Sequence, residues 1–267
     1  MQKATARVAH LSLRGQVTAE RFGEGEALRL VVPLADLLRA PFGPRDRQLV
    51  LGEGFLVLDR ENFHAFGFAE KDGYCGWLAE TALGLAPDPS HFVASSGTHA
   101  YAEPRVQAAE TLLPAGALVT VTGSTGKFAE TNLGHVPALH LRAIGDWLDD
   151  PVAVAEQFLG TPYLWGGNSR AGIDCSGLVQ RALLACGIAC PGDSDLQEAL
   201  GTEIAADAPL HRGDLLFWRG HVALVVDAQN LIHANGHSMS VAHEGIAACI
   251  ARVQAQGGGA VTHRRRL

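Results

Sequence analysis

Residues 174–187 read DCSGLVQRALLACG, and this stretch decides the fold of the second half of the chain. Its apolar residues recur at the i, i+3, i+4, i+7 spacing of a half-buried helix: Val179, Ala182, Leu183 and Cys186. Gly187 suits a C-terminal end, so the pattern predicts a helix over 175–187 that begins at Cys175. Unpaired backbone N–H groups and the helix dipole favour an anion in the first turn of a helix. The sequence therefore indicates a cysteine that is favoured as its thiolate, the reactive form.

The size and charge of the chain limit the classes of protein to which it can belong. It has 267 residues, which is room for one large domain or two to three small ones, and 47% of them are hydrophobic, enough for real cores. The net charge is −7 and no basic stripe stands out, which argues against a nucleic-acid partner. The run His263–Arg266 is interpreted as a solvated tail.

The N-terminal sequence and the spacing of the cysteines indicate the cellular compartment of the protein. Basic residues without an apolar run open the chain, so we expect neither a signal peptide nor a membrane partner for the chain as given. A removed leader would alter this expectation. The five cysteines form no even, regular framework, which is typical of a reducing compartment. We therefore expect a cytoplasmic protein.

Two segments before residue 145 repeat one pattern of glycine-rich turns and short apolar strands. The first runs from Leu51 to Leu78 and the second from Leu113 to Val136. Short strands at this spacing predict small β-barrels, and an offset of about 60 residues indicates tandem modules. Pro87–Ser90 between them is interpreted as a linker. Residues 1–27 have no assigned role; an extra strand and a wrapping segment are both open. The predicted domains are 1–84, 91–145 and 146–267.

A different pattern begins at Asp150. Asp150 and Pro151 predict a helix start with Asp150 as N-cap, and the helix is expected to run to Leu159 before Gly160. After the cysteine helix, three runs read as strands: 214–218, 221–226 and 231–234. A helix that bears a nucleophile and packs on an antiparallel sheet is an α+β layout.

Two histidines are predicted to lie in adjacent strands. A three-residue turn at Asp227–Gln229 would pair Val226 with Asn230, which puts His221 and His233 on one face of the sheet. A four-residue turn would put them on opposite faces. In the first register His221 takes the proton of the nucleophilic cysteine and His233 orients the His221 ring.

Less specific interpretations compete with this one. The chain has twelve histidines, and an arbitrary Cys–His pair is more often structural than catalytic. A zinc site formed by Cys175, His221 and His233 is a further alternative, although no C-x-x-C spacing supports it. We predict no metal and no cofactor.

Five motifs in order resemble the NlpC-type cysteine peptidases, papain-like enzymes that cut bacterial cell-wall peptides. The motifs are Thr161–Gly167, Asp174–Val179, Arg212–Trp218, Gly220–Val225 and Leu231–Ala234. The resemblance covers residues 150 to about 250. It implies Cys175 as nucleophile, His221 as base and His233 as the orienting residue. It also implies that Tyr163 lies beside the cysteine and helps to polarise the scissile carbonyl.

The front half extends the resemblance. Two SH3-like barrels before an NlpC-type domain are similar to the γ-D-glutamyl-L-diamino-acid endopeptidases, also called dipeptidyl-peptidase VI. In that subfamily the first barrel closes one end of the cleft and restricts cleavage to peptides with a free N-terminal L-Ala. The resemblance implies Tyr74 as a ligand-facing residue and Asp46 and Asp193 as partners of the substrate ammonium. The other predicted substrate-binding residues are Ser194, Asp174, Ser176 and Trp165.

The predicted function is therefore hydrolysis of the γ-D-Glu–diamino acid bond in murein tripeptides, in the recycling of cell-wall peptides. The oxyanion would be held by the Cys175 backbone N–H and Tyr163. An amidase or acyltransferase on the same papain-like scaffold is the alternative, and a non-catalytic wall-peptide binder is a second one. The identity of the diamino acid and the oligomeric state stay open.

Overall fold

The structure is a computed structural model in which residues 2–267 are described. The chain divides after Ile144 into two compact units. Strands and short 3₁₀ turns build the described part of the first unit, and the second unit combines strands with α-helices. Within residues 2–267, we find no helix with the length and apolar character needed to span a membrane.

The N-terminal segment packs onto the first strand module. Its strands β1 (Val8–His10) and β2 (Arg21–Gly23) pair in parallel. Val8 is fully buried and belongs to one apolar cluster with Phe66 and Trp77. Within residues 2–27, the segment whose role was left open thus forms strands β1 and β2 and contributes Val8 to a core.

The first module is one antiparallel sheet. Its seven strands are β3 (Glu26–Leu30), β4 (Leu34–Leu38), β5 (Arg45–Val50), β6 (Gly54–Glu61), β7 (His64–Ala69), β8 (Cys75–Ala79) and β9 (Leu83–Gly84). They are arranged in the order β5-β4-β8-β7-β6-β3-β9. Alternate apolar residues of these strands point to one buried cluster, which includes Leu37, Leu49, Phe55 and Leu78.

The second module has two smaller sheets. Its strands are β10 (His91–Val93), β11 (Gly97–Tyr101), β12 (Glu110–Pro114), β13 (Leu118–Val119), β14 (Val121–Thr125), β15 (Phe128–Thr131), β16 (Gly134–Pro137) and β17 (Leu141–Ala143). Five form a sheet in the order β12-β11-β16-β15-β14, and three form a sheet in the order β13-β10-β17. Their shared core contains Val93, Leu113 and Val136.

The two modules use the same strand connections. The hairpin β4–β5 with its β8 partner corresponds to β11–β12 with β16. The meander β6-β7-β8 corresponds to β14-β15-β16. In each module a 3₁₀ turn, Glu80–Ala82 or Ala138–His140, leads to a last strand that pairs with the module's first strand. The sequence repeat is therefore matched by a repeat of topology.

The modules also touch each other. Leu51 leaves the first module and joins the core of the second. Leu118 N–H donates to Leu51 O at 2.9 Å. Gly52 has φ +81°, and a Cβ there would lie 2.3 Å from Leu118 O. Only glycine meets both requirements without displacing the backbone.

The second unit contains four described helices: α1 (Pro151–Glu156), α2 (Cys175–Ala185), α3 (Ser194–Gln197) and α4 (Ile246–Ala255). The Asp150 carboxylate caps α1 as predicted and accepts from the N–H groups of Val152 and Ala153. The predicted end at Leu159 is wrong, because α1 stops at Glu156 and the chain tightens into turns with i−3 bonds.

Helix α2 begins at Cys175 as predicted and ends at Ala185, with Cys186 as its C-cap. Gly187 follows at φ +72°. Its N–H donates to Leu184 O, and Ile188 N–H donates to Leu183 O at 2.9 Å. This is the Schellman arrangement, which satisfies the last carbonyl groups of a helix.

The strands of the second unit form a hairpin and a six-stranded sheet. The hairpin pairs β18 (Asn168–Ser169) with β19 (Gly172–Ile173). The sheet contains β20 (Thr202–Glu203), β21 (Leu215–Trp218), β22 (His221–Val225), β23 (Asn230–Asn235), β24 (Ser240–Gly245) and β25 (His263–Arg266). Its antiparallel order is β20-β25-β21-β22-β23-β24, and α2 packs on β22 and β23. The three predicted strands are the central ones, which agrees with the α+β layout expected for this part.

The interpretation of His263–Arg266 as a solvated tail is wrong. These residues form β25, which lies between β20 and β21. The Arg266 guanidinium donates to both oxygens of Asp214 at 2.8 and 2.7 Å. Backbone pairing and this ion pair hold the strand, and neither leaves an apolar pattern in the sequence.

Candidate active site

The candidate nucleophile lies where α2 meets its preceding loop. Cys175 is the first residue of the helix and is 6% exposed. Asp174 is the N-cap, and its Oδ1 accepts from Gly177 N–H at 2.6 Å and from Ser176 Oγ at 3.2 Å. Its Oδ2 accepts from Gly166 N–H at 2.9 Å. The predicted substrate contacts Asp174 and Ser176 thus also fix the loop to the start of the helix.

Tyr163 is close enough to sense the charge of this cysteine. Its backbone N–H donates to Met239 O at 2.9 Å. Burial raises the pKa of the Tyr163 phenol, and the negative charges of Cys175 and Asp174 raise it further. The phenol therefore stays protonated near neutral pH and can donate a hydrogen bond. The neighbouring predicted residue Trp165 is 62% exposed.

The histidine register is confirmed. Strands β22 and β23 pair Leu224 with Ile232, and Val226 N–H donates to Asn230 O at 2.8 Å across the three-residue turn. Both histidines lie on one face, with His221 Nε2 2.9 Å from His233 Nδ1. One of these nitrogens donates and the other accepts, depending on the tautomers.

Both imidazoles are held neutral. Burial lowers the pKa of His221 to about 3, and the charges of His233 and Arg252 lower it further while Glu244 opposes the shift. Burial likewise lowers the pKa of His233 to about 4, against the opposing charge of Glu244. A neutral His221 in the resting protein is the form that can accept a proton.

Sequence reasoning missed the carboxylate behind the histidines. Glu244 on β24 lies with Oε2 3.1 Å from His233 Nε2. Arg252 on α4 donates to both Glu244 oxygens, at 2.8 and 2.7 Å. The apolar spacing of Ile246, Cys249, Ile250 and Val253 was the available signal for α4. It could not reveal that the helix returns Arg252 to β24.

The metal alternative also takes a different form in the structure. The donor atoms of His233, Glu244 and Cys249 lie within 4.8 Å of one another, and the sequence had suggested a set with Cys175 and His221. Both Glu244 oxygens accept hydrogen bonds from Arg252, so a cation would have to compete with a guanidinium. The arrangement favours an ion pair.

The remaining predicted substrate residues fall in both units. In the first unit Tyr74 N–H donates to Asp72 Oδ1 at 3.0 Å, and the Arg47 guanidinium lies 5.4 Å from the Tyr74 ring centroid. The Asp46 carboxylate accepts from Arg39 Nε at 2.8 Å and lies 2.7 Å from its Nη2. In the second unit Asp193 is the N-cap residue of α3, and Ser194 is its first residue. Their substrate roles stay predictions.

Comparisons with known proteins match both units. Residues 160–252 match the NlpC/P60 family, and residues 37–83 match the bacterial dipeptidyl-peptidase SH3 domain. "Dipeptidyl-peptidase 6" of Lysinibacillus sphaericus is 34% identical over 122 residues, which are 46% of this chain and 45% of that protein. A "gamma-D-glutamyl-L-lysine dipeptidyl-peptidase" of Bacillus cereus is 36% identical over 101 residues, 35% of this chain and 30% of that protein. These alignments span less than half the length of either relative.

A solved structure gives the fold. The crystal structure of an NlpC/P60 family protein from Bacillus cereus aligns with a TM-score of 0.78 and 21% identity, over 90% of this chain and 99% of that one. At this identity the likeness concerns the fold alone. The second unit of this chain thus carries a domain of the NlpC/P60 family, and the first carries a bacterial dipeptidyl-peptidase SH3 domain.

Proposed function

We propose that this protein is a cysteine peptidase that hydrolyses the γ-D-Glu–diamino acid bond of cell-wall peptides with a free N-terminal L-Ala. One observation carries the proposal. A cysteine at a helix start and a hydrogen-bonded imidazole pair occur together in an NlpC/P60 domain, on a chain that also has a dipeptidyl-peptidase SH3 domain. The names of the relatives support the substrate class.

The first step is attack by sulfur. His221 takes the proton of the Cys175 thiol through Nδ1, the nitrogen that the His221–His233 contact leaves available. The thiolate, stabilised at the start of α2, forms a bond to the γ-carbonyl carbon of D-Glu. The Cys175 backbone N–H and the Tyr163 hydroxyl donate to the oxyanion that develops.

The second step releases the products. The tetrahedral intermediate collapses, the C–N bond breaks, and the His221 imidazolium gives its proton to the leaving amine. Water then loses a proton to His221 and attacks the thioester carbonyl. Breakage of the C–S bond releases L-Ala-D-Glu and regenerates the thiol.

The substrate ammonium requires negative partners, since a buried charge without a counter-charge has a desolvation penalty that nothing compensates. Asp193 and Asp46, with Tyr74, are the proposed partners. Arg39 already compensates the Asp46 carboxylate, which weakens its attraction for a second cation.

We further propose that residues 91–145 form a second SH3-like barrel. Support comes from the strand connections that they share with the first module, whereas the SH3 family match covers only 37–83. A role in recycling within a reducing compartment is proposed on the cysteine pattern, since the five cysteines form no even, regular framework in the sequence. Immunodetection in fractions of the source cells tests the location.

The substrate test compares L-Ala-γ-D-Glu-diamino acid tripeptides with a free and an acetylated N-terminus. We expect hydrolysis of the free peptide and a large loss of kcat/KM for the acetylated one. Cys175→Ala should abolish turnover, and Cys186→Ala is the matched control that should retain it. Equal rates on both peptides would contradict the ammonium clamp and favour the amidase or acyltransferase alternative. Turnover by Cys175→Ala would exclude the nucleophile.

A further inference from the structure

A line of polar contacts continues behind the two catalytic imidazoles. It runs from His221 Nε2 to His233 Nδ1 at 2.9 Å and from His233 Nε2 to Glu244 Oε2 at 3.1 Å. It ends at Arg252, which holds both oxygens of Glu244. Strands β23 and β24 and helix α4 thus supply one group each behind His221.

The carboxylate in this line is ionised. Hydrogen bonds from Arg252 lower the pKa of Glu244 to about 2, although partial burial opposes the shift. An ionised carboxylate can only accept hydrogen bonds. The nitrogen of His233 that faces it must therefore carry a proton.

The contact between His233 and Glu244 departs from ideal hydrogen-bond direction, but the nitrogen has no better acceptor. The His233 side chain is fully buried, and no other acceptor in residues 2–267 bonds to its Nε2. Almost all buried N–H groups in proteins have a hydrogen-bond acceptor. Glu244 Oε2, 3.1 Å away, is therefore the acceptor for the His233 Nε2–H group.

The proton positions then follow along the line. A neutral imidazole has one donor nitrogen and one acceptor nitrogen. If His233 Nε2 carries the proton, its Nδ1 is an acceptor. His221 must then donate from Nε2, which leaves the lone pair of His221 Nδ1 for the thiol proton.

We propose that Glu244, clamped by Arg252, is a positioning residue that decides which nitrogen of His221 is presented to the nucleophile. The inference rests on the proposed function, because it assigns His221 as the base for Cys175. It adds two residues, Glu244 and Arg252, that act on His221 through His233. Because the tautomer is fixed, the proton of neutral His221 does not have to move from one ring nitrogen to the other before the ring can accept the thiol proton.

Other titratable or charged groups surround the pair. Cys249 on α4 and His237 after β23 lie close to Glu244 and His233. Arg219 lines one cavity together with His221 and Arg252. Among these groups, Glu244 raises the pKa of His221 and Arg252 lowers it. Loss of the two members of the clamp should therefore have opposite electrostatic effects.

The first test follows the reactivity of Cys175 toward iodoacetamide as a function of pH. Glu244→Gln makes a proton on His221 less favourable, so the thiolate loses its partner and the midpoint should move to higher pH. Arg252→Gln keeps the carboxylate without its counter-charge, so the midpoint should move to lower pH. Glu203→Gln, an exposed acid of the same unit, is the matched control and should move nothing. Shifts in one common direction, or no shift in folded variants, would overturn the proposal.

The second test reads the tautomers directly. Two-bond ¹H–¹⁵N correlations of histidine-labelled full-length protein should show the Nε2–H form for both His221 and His233. Signals of an Nδ1–H form at either ring would overturn the assignment, whatever the variants do. In steady-state assays Glu244→Gln should lower kcat roughly tenfold or more with KM unchanged. Glu244→Asp, which keeps the charge, should recover part of the loss.

The two spectroscopic and chemical readouts do not require turnover. If the protein left γ-D-glutamyl peptides intact while both readouts behaved as expected, the proposed function would fail and the positioning role would stand. If it cleaved them with the other tautomer at His221, the positioning role alone would fail.

Discussion

Tyr163 illustrates how one residue's surroundings determine what it can donate. Burial and the nearby charges of Cys175 and Asp174 raise its pKa, so the hydroxyl proton is retained beside the cysteine. A phenol in this state is a fixed donor for an oxyanion and cannot act as a base near neutral pH.

Tyr163→Phe should therefore lower kcat by roughly 10²-fold, because it removes one donor to the oxyanion. KM and the pH dependence of Cys175 alkylation should change little. Tyr101→Phe in the first unit is the control. If Tyr163→Phe retained full kcat, the oxyanion would be held by other donors.

The residues of the site were predictable to different degrees. The position of Cys175 and the register of the histidines follow from local rules, namely helix periodicity and the length of one turn. Glu244 and Arg252 belong together only because α4 folds back onto β24, and a contact of that kind has no local sequence signal.

At the scale of elements, α2 shows how a helix end is specified. Gly187 and Gly220 have almost the same φ, +72° and +73°. A Cβ on Gly187 would lie 2.4 Å from Trp147 Cδ1, whereas a Cβ on Gly220 would meet nothing within 4 Å. An alanine at Gly220 therefore tests backbone strain alone, whereas an alanine at Gly187 tests backbone strain together with a side-chain clash.

Gly220→Ala should cost about 1–2 kcal/mol of unfolding free energy, the strain of a left-handed alanine. Gly187→Ala should cost roughly 1–3 kcal/mol more, because Trp147 must move. Chemical denaturation of both variants measures the difference. Equal losses would show that Trp147 accommodates the methyl group without strain.

Strands were harder to predict than helices in the second unit. The apolar runs of β21, β22 and β23 are visible in the sequence, whereas β25 consists of one histidine and three arginines. Its position between β20 and β21 depends on backbone pairing and on the Arg266–Asp214 ion pair. Long-range pairing of this kind overrides local polarity.

At the scale of the whole molecule, neutral buried histidines make the second unit sensitive to acid. The pKa values of His221 and His233 fall from 6.5 to about 3 and about 4 on folding. Between these values and 6.5 the unfolded chain binds more protons than the folded one, so stability decreases as pH decreases. The depressed pKa of Glu244 contributes in the same direction only below its ordinary value of 4.5.

We therefore expect the unfolding free energy to fall between pH 6.5 and 4.5, the window in which the imidazoles act before Glu244 does. Denaturant titrations at several pH values measure the slope. His221→Gln should flatten it, and His99→Gln, on an exposed residue of β11 in the first unit, should not. A slope unaffected by His221→Gln would contradict the neutral state of this ring.

Leu51 and Gly52 have a consequence for rebuilding the first unit. A side chain of one module completes the interior of the other, and the backbones meet where a single methyl group would collide with Leu118. Anyone who transplants either module into a foreign chain will have to take this junction with it. Otherwise the second module will have a cavity in its core, and Leu51 of the first module will be exposed to solvent.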